Sequence, residues 1–534
     1  MLSSASELAP TGSVAYLNGN VYTVNTAQRW AEAFIISPDG IFTAIGLNDE
    51  IRLIAKENSL VTVNLNGRFV MPGIHDSHVH TFHSGLHLLS DVLMDFEADE
   101  TTLDGKGMME RMKSGSCACA FHGAYSDWIV GVLYEAQDFD RADLDQEWPN
   151  NPVIIHGGGG HSKYLNTLGL QRAGFDIASE PDAEHAYFLR RQDGSLTGAI
   201  TGQNAMGRAN LAVTRPTLSH VKRALRRALP ELHRYGVTSC QEAAANTLLL
   251  EALHELDVAN QLQMDYSTHI LYRNEWLSGE LLSDPEELIR DSHLYRSKHV
   301  DTRFIKFMMD GTPNPVHSTI SHLDENGSPE MDKILEPNLA DLIKKWDKHG
   351  MTCKVHCMGQ GAVKLTLDAI SQVRKGHPGG PRHEIAHCSA VQDSDFGRFR
   401  TLNVTAEMSP AMFFKNDFVG QQFGWDFPKM VEAQNLVTIG SDWAFGMRLP
   451  LFPAVAPLVK QIGSEAIIEM LTINGAKAVS QDHRIGSIAP GKTANFIAVD
   501  RDLTKGDFAN ATVTQTWFEG EVVFDGEGIF RPRS

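Results

Sequence analysis

The sequence predicts a (β/α)8 TIM-type barrel carrying a small composite β-sandwich, and three observations predict it. The middle of the chain alternates short strand-like runs with helical ones. Histidines and acidic residues gather at the ends of those strands, where barrel enzymes build their sites. Both chain ends share one β texture, and neither is large enough for a core of its own. The expected division is residues 1–70 plus 486–534 for the sandwich and 71–485 for the barrel, with a large insertion at about 95–235.

The first seventy residues read as β. In "AYLNGNVYTVN", Asn18-Gly19 separates two strand-prone runs, the residue pair a two-residue hairpin favours. Asp39-Gly40 repeats the device in "IISPDGIFTAIG", and Asn66-Gly67 repeats it in "VNLNGRFVMPG". A small antiparallel unit is therefore expected before Met71. At the other end, "GSIAPGKTANFIAVDRD" gives a turn and an apolar strand, and "TQTWFEGEVVFDGEG" gives two strands around Glu519-Gly520. Packing both ends together, with the middle as one long insertion, is the economical solution.

In the middle, "TRFIKFMMDG" is a strand ending at a turn. "PNLADLIKKWDKHG" is helical, with apolar residues at three-to-four spacing and Gly350 as a stop. "MTCKVHCMG" is the next strand and "QGAVKLTLDAISQVRKG" the next helix, and "RHEIAHCSA", "NLVTIGSDW" and "SEAIIEMLTINGAKAV" continue the alternation. Residues 95–235 are too many for one connection, so they must place extra elements over the barrel mouth.

The 534 residues are 42% hydrophobic and 21% charged, a normal balance for a soluble chain. No run approaches the roughly 18 apolar residues of a membrane span. "MLSSASELAPTGS" lacks the basic and apolar regions of a secretory signal. A net charge of −19 argues against nucleic acid as a partner. Six cysteines make no disulfide framework. Cys117 and Cys119 form a lone C-x-C, and Cys353, Cys357 and Cys388 read as small core residues. A reducing, cytoplasmic setting is expected.

The chemistry concentrates in "MPGIHDSHVH", Met71 to His80. His78 and His80 project to one side of a strand, about 7 Å apart along it, and can converge on one ion. Asp76 shares that parity and can support the ligands. His356, His387 and Asp442 each stand near a strand end. Four strand ends thus carry metal-ligand residue types. On "FIKFMMDG", Lys306 falls on the face opposite Ile305, Phe307 and Met309, hence toward the barrel interior. A buried ammonium beside metal ions is disfavoured by desolvation and by like charge. Its neutral form can take up CO2 as a carbamate, an anion able to bridge two ions. The alternative pairs Lys306 with Asp310 or Glu242.

These residues resemble the amidohydrolase superfamily, and within it the amidohydrolase 3 branch that includes N-substituted formamide deformylases. "MPGIHDSHVH", the two later strand-end histidines, "GSDW" and "GSIAPGKTANFIAVD" carry the resemblance, with "SDWIVGVLYEAQ", "GGGGHSKYLNTLGL", "GSLTGAI" and "IKFMMDGTPNP" similar to segments of that branch. The resemblance implies a metal-dependent barrel with a composite sandwich. It implies His78, His80, His356 and His387 as ligands, Asp442 as ligand and general base, Lys306 as a carbamylated bridge and His161 as a substrate-facing residue. About two Zn2+ ions per chain are expected on that ligand set. Met308-Met309 and Pro313-Asn314-Pro315 depart from the branch's smaller residues after the lysine, and Gln241-Glu242 stands where His-Asp is expected. Glu242 is a bridging carboxylate in the version without a modified Lys306.

The reaction expected is hydrolysis of a carbon–nitrogen amide-type bond other than a peptide bond. Asp442 takes the proton of the attacking water and passes it to the leaving amine, and the metal or His161 polarises the carbonyl. Phe82, Trp128, Met308, Met309, Phe413, Phe414 and Trp443 flank the motifs and either suggest an apolar or aromatic substrate or belong to the core, with Trp443 taken as a substrate contact. "HGGGGHSKY" imitates a lipase oxyanion element, but its serine, Ser162, lacks the G-x-S-x-G elbow. Two other classes stay open: a lyase of the aromatic-acid decarboxylase type on the same barrel, and a non-catalytic sensor. The partner expected is a small-molecule substrate, with no nucleic acid and no membrane. Homo-oligomer formation stays open.

Overall fold

The computed structural model describes residues 12–89, 103–104, 125–133, 136–157, 160–273, 275–312, 317–413, 425–444, 449 and 451–528. Cys117 and Cys119, Pro313 to Pro315, and Phe414 lie outside these residues, as does the side chain of Phe413.

Eight parallel strands form one sheet in sequence order. They are β1 (Ile74–Val79), β2 (Val237–Ala245), β3 (Asp265–Leu271), β4 (Val300–Met308), β5 (Thr352–Cys357), β6 (His383–His387), β7 (Val404–Met408) and β8 (Leu436–Ile439). The sheet closes into a barrel because the residues after β8 bond to β1. Ser441 N donates to Asp76 Oδ1 at 2.9 Å, Asp442 N to His78 O at 2.7 Å, and His80 N to Trp443 O at 3.1 Å.

The outward faces supply the apolar layer. Ile305, Phe307, Val355, Ile385, Ala406, Val437 and Ile439 alternate along their strands and join one buried cluster with the surrounding helices. The helix Leu218–Arg234 shows how sequence spacing selects a face. Val221, Leu225, Ala228 and Leu232 recur at three-to-four spacing and are fully buried, and Thr217 caps the start by accepting from His220 N. Leu339–Asp347 and Gln360–Gly376 form as the sequence predicts, and Gly350 takes φ +72° just beyond the first.

Strands from both chain ends build the sandwich. Four N-terminal strands (Phe42–Gly46, Ala33–Ile36, Val14–Leu17, Val61–Asn64) form one sheet. The second joins Asn20–Tyr22, Trp30–Ala31 and Phe69–Pro72 to Phe496–Val499, Val513–Phe518 and Glu521–Asp525 from the C-terminal end. Tyr16 and Phe34 pack on Phe496 and Trp517 between the layers.

Two turn expectations are corrected here. Asp39-Gly40 and Glu519-Gly520 do close antiparallel hairpins. Asn18-Gly19 and Asn66-Gly67 do not, because the strands on either side of each belong to different sheets. The tight reversal is real, with Asn18 at φ +57° and Asn66 at φ +53°. It serves as a corner between layers because each flanking strand finds its partner elsewhere; Val14–Leu17 pairs with Ala33–Ile36 and, in parallel, with Val61–Asn64. The two corners also bond to each other, Gly67 N to Asn18 O at 2.7 Å.

The insertion contributes a five-stranded sheet in the order Ile129–Val132, Val153–Gly157, Ser162–Leu165, Leu196–Thr201, Tyr187–Arg190, with apolar clusters on both faces. Trp128 belongs to one of those clusters. No helix among the described residues is long and apolar enough to cross a membrane.

A buried triad ties the lower barrel to the sandwich. His299, just before β4, lies 2.6 Å from Asp257 on a barrel helix and 3.2 Å from Glu519 of the C-terminal hairpin. Burial alone would push the imidazole down, but the bonds to Asp257 and Glu519 outweigh it and hold it up at about 9. A group raised above its unfolded value of about 6.5 stabilises fully below that pH, and the contribution fades as pH rises through the folded value. Thermal unfolding of the parent and of His299→Gln should therefore differ most near pH 6 and converge by about pH 10. A gap that does not change with pH would contradict this role.

Candidate metal centre

The C-terminal rim of the barrel brings His78 from β1, His80 from just beyond it, Lys306 from β4, His356 from β5, His387 from β6 and Asp442 from the segment after β8 into one pocket. His161 reaches it from the insertion, and Ala243, Leu271, Trp276, Leu277 and Met308 supply its apolar wall. The His161 ring lies 5.5 Å from that of His356 and 5.2 Å from Trp276. The residues expected to converge do so, on the strand ends that the spacing indicated.

Two ligand-like groupings stand side by side. His78, His80 and Asp442 offer atoms within 4.8 Å of one another, as do His78, His387 and Glu407. In the first, Asp442 Oδ1 lies 3.1 Å from His80 Nε2 and 3.7 Å from His78 Nε2. In the second, Glu407 is already engaged: its Oε2 accepts from His78 Nδ1 at 2.7 Å and from His387 N at 3.1 Å, and its Oε1 accepts from Ser409 Oγ at 2.7 Å. Glu407 therefore orients ligands, the usual work of a carboxylate behind a metal-binding histidine.

The other imidazoles are oriented in the same way. His387 Nδ1 meets Ser409 Oγ at 3.1 Å, and His356 Nε2 donates to Gly311 O at 3.1 Å. Each ring thus keeps its second nitrogen for the pocket. His80 Nδ1 is buried without a hydrogen-bond partner. Burial, followed by the nearby lysine charge, pushes His78 well below the ordinary histidine range, and burial does the same to His356 and His387. Neutral imidazoles beside a carboxylate are the donor set that divalent transition metals take. The residues fit a metal centre.

Backbone geometry shows how closely the site is determined. His387 sits at φ +70° and Asp442 at φ +50°. Such conformations cost roughly 1–3 kcal/mol in a residue with a side chain and persist only where the surroundings enforce them. On β6 the alternation sends Ile385 outward to the apolar cluster, so His387 would follow it; the left-handed turn brings it into the pocket. Gly440 is required by contact, because a Cβ there would lie 2.4 Å from His78 Cβ and 2.6 Å from Glu407 Oε1.

Lys306 is 2% exposed, and its Nζ lies 3.2 Å from His78 Nε2. Burial, then the charge of Lys354, lowers its pKa to about 7. The ion-pair alternative is not what the structure holds. Asp310 is taken up by three backbone amides, Ser321 N, Met358 N and Gly359 N, at 3.1, 2.9 and 2.9 Å. Glu242 Oε2 accepts from Thr81 N at 2.7 Å and from Thr81 Oγ1. Glu242 thus anchors the start of the helix Thr81–His87.

One other placement differs from the expectations, that of Trp443, while Met308, Met309 and Asp76 fall as the parity of their strands indicated. Trp443 is buried in the layer between barrel and helices, and the pocket wall is made without it; its backbone closes the barrel. Met309 joins that apolar layer, whereas Met308 lines the pocket. Asp76 supports the ligands through the backbone, accepting from His78 N at 3.2 Å and from Ser441 N at 2.9 Å.

The residues beneath the pocket were not singled out from sequence. Lys354 on β5 is fully buried. It donates to Ser77 O and to Gln241 Oε1 at 2.6 Å, and its Nζ stands 3.4 Å from Glu384 Oε2. Gln241, a departure from the branch's pattern, is thus a support of this buried lysine. The available signal was a charged residue inside an apolar parallel strand, as in "CKVHC" and "VTAEM".

Comparison with known proteins gives the family. The profile of the amidohydrolase family matches residues 61–524, and the chain belongs to that family. It is 24% identical to the protein LONG AFTER FAR-RED 3 of Arabidopsis thaliana, over 96% of this chain and 92% of that one. It is 23% identical to an N-substituted formamide deformylase of Arthrobacter pascens, over 96% and 98%. Among solved structures, an uncharacterised metal-dependent hydrolase of Pyrococcus horikoshii superposes with a TM-score of 0.68 at 18% identity, covering 93% of this chain and 99% of that one.

Two outcomes are expected. Glu407→Ala should lower metal affinity about 10- to 100-fold in a chelator competition, because His78 loses its orienting acceptor. Unchanged affinity would show that Glu407 has no such role. Ser162 is buried in a strand paired with Thr201, so Ser162→Ala should leave kcat within about tenfold. A loss on the order of 10^4-fold with metal retained would instead make it a nucleophile.

Proposed function

We propose that this amidohydrolase-family chain is a metal-dependent hydrolase that cleaves the carbon–nitrogen bond of a small N-acyl, N-formyl or cyclic amide bearing an apolar or aromatic group. The observation that carries the reading is the convergence of four histidines, Lys306 and Asp442 on one pocket roofed by His161. The likeness to an N-substituted formamide deformylase supports the same bond class.

His78, His80, His356, His387 and Asp442 would hold two divalent ions, with zinc suited to so many imidazoles. A bound ion supplies Lewis acidity and lowers the pKa of water toward 7. Lys306, with its pKa lowered to about 7, would offer a neutral fraction able to add CO2 with loss of a proton, and the resulting carbamate would join the residues holding the metal. Asp442 stands beside His80 and can take the proton of the attacking water, then hand it to the leaving amine. Burial lowers His161 to about 3, so it faces the substrate as a neutral imidazole that can donate a hydrogen bond to the scissile carbonyl. Trp276, Met308 and Leu271 form the water-excluding wall around that event.

Asp442→Asn keeps the shape and one metal-binding oxygen but cannot carry the proton. Steady-state kinetics on the metal-replete variant should show kcat reduced by about 10^4-fold or more, since one group serves both transfers. Activity within tenfold of the parent would assign the transfer to another residue.

A further inference from the structure

A second cavity lies beside the metal pocket, between the helix Thr81–His87 and the insertion sheet, and Leu277 lines both. Phe82, Leu86, Tyr125, Val130 and Val132 form one apolar side of its wall. Set into that wall are His87 and His156. His87 is 1% exposed, and neither of its ring nitrogens has a hydrogen-bond partner. Burying a polar group in this way costs about 1–3 kcal/mol unless something pairs with it. His156 is different: Lys163 Nζ reaches its Nδ1 at 2.8 Å and Gly160 O at 3.3 Å. With Lys163 assigned as donor in both bonds, the His156 proton sits on Nε2, leaving a fixed N–H to serve the cavity.

These two histidines on the cavity wall are uncharged. Burial lowers His87 to about 4 and pushes His156 well below the ordinary range. Arg215, the formal charge on the wall, is paired with Glu280 at 3.1 Å. Among the described residues no unpaired charge lies on the cavity wall, so a charged group entering here would be desolvated without a counter-charge there.

We propose that this cavity receives one end of the substrate: an uncharged, mainly apolar group bearing a hydrogen-bonding atom, recognised by His87 and His156 while the scissile bond lies in the metal pocket. The proposal rests on the hydrolase reading for its link to catalysis, but the cavity's affinity for such a group can be read without turnover. Phenol serves as the binding probe and toluene as its apolar control, titrated into the full-length protein by ligand-observed NMR. Phenol should bind the parent. Its affinity should fall about three- to tenfold in His87→Leu or His156→Leu, as expected for one lost hydrogen bond, while toluene is little changed. Val132→Trp, which fills the cavity from a different wall, should remove both ligands. Equal phenol affinity in all four proteins would overturn the proposal.

The second arm measures kcat/KM for N-formyl amines of equal size carrying a phenyl, hydroxyphenyl or carboxyphenyl end. The parent should favour the uncharged ends by about tenfold or more, and His87→Leu should erase the advantage of the hydroxyl. Preference for the carboxylate would overturn the assignment. Turnover of none of the three, with phenol binding as described, would count against the hydrolase reading and leave the cavity's selectivity standing.

Discussion

The site depends on the seam at which the last barrel strand meets the first. A single parallel bridge, Val79 to Trp443, stands there in place of a full strand ladder. Asp76 accepts from His78 N and Ser441 N, and Asp442 N donates to His78 O. These bonds fix the separation between two candidate ligands, His78 and Asp442, from chain segments more than three hundred residues apart. Gly440 lets the segments approach, and the left-handed backbone at Asp442 aims its carboxylate inward. Covalent continuity supplies none of this. The seam holds because buried amides and carboxylates must find partners in a medium that solvates them poorly.

Below the rim the barrel interior is ionisable where an ordinary barrel core is aliphatic. Lys354, Glu384 and Gln241 form a buried layer, and Glu407 rises from β7 beside them to hold His78. Removing one member of such a buried pair costs about 3–5 kcal/mol, because the other is left uncompensated. Burial pushes Glu407 up to about 7, partly offset by Lys354, and the same burial brings Lys306 down to about 7. Opposing groups with displaced pKa values are a frequent signature of catalytic centres. Structural stability and chemistry share one electrostatic arrangement here.

Much of this was legible in the residues. The period-two and period-3.6 patterns marked the barrel's strands and helices, and parity within "IHDSHVH" and "FIKFMM" aimed His78, His80 and Lys306 inward. What local pattern could not supply was partnership. Asn18-Gly19 encodes a tight reversal, but whether a reversal makes a hairpin or a corner depends on strands far away in sequence. Glu242 carries a ligand's chemistry, yet its Oε2 goes to Thr81. Glu407 looked like one more acidic residue until the fold set it against His78. Parity alone would have turned His387 outward, and only the left-handed backbone brings it into the pocket.

The central claim is that this rim is a two-metal centre held by side chains from opposite edges of the barrel sheet. Anomalous diffraction at the zinc edge, on crystals of protein whose activity has been verified, tests it most directly. The account predicts two peaks in the pocket bounded by His78, His80, His356, His387 and Asp442, with continuous density extending from Lys306 Nζ between them. Fully active protein with no metal peak there, or with its metal bound elsewhere, would contradict it.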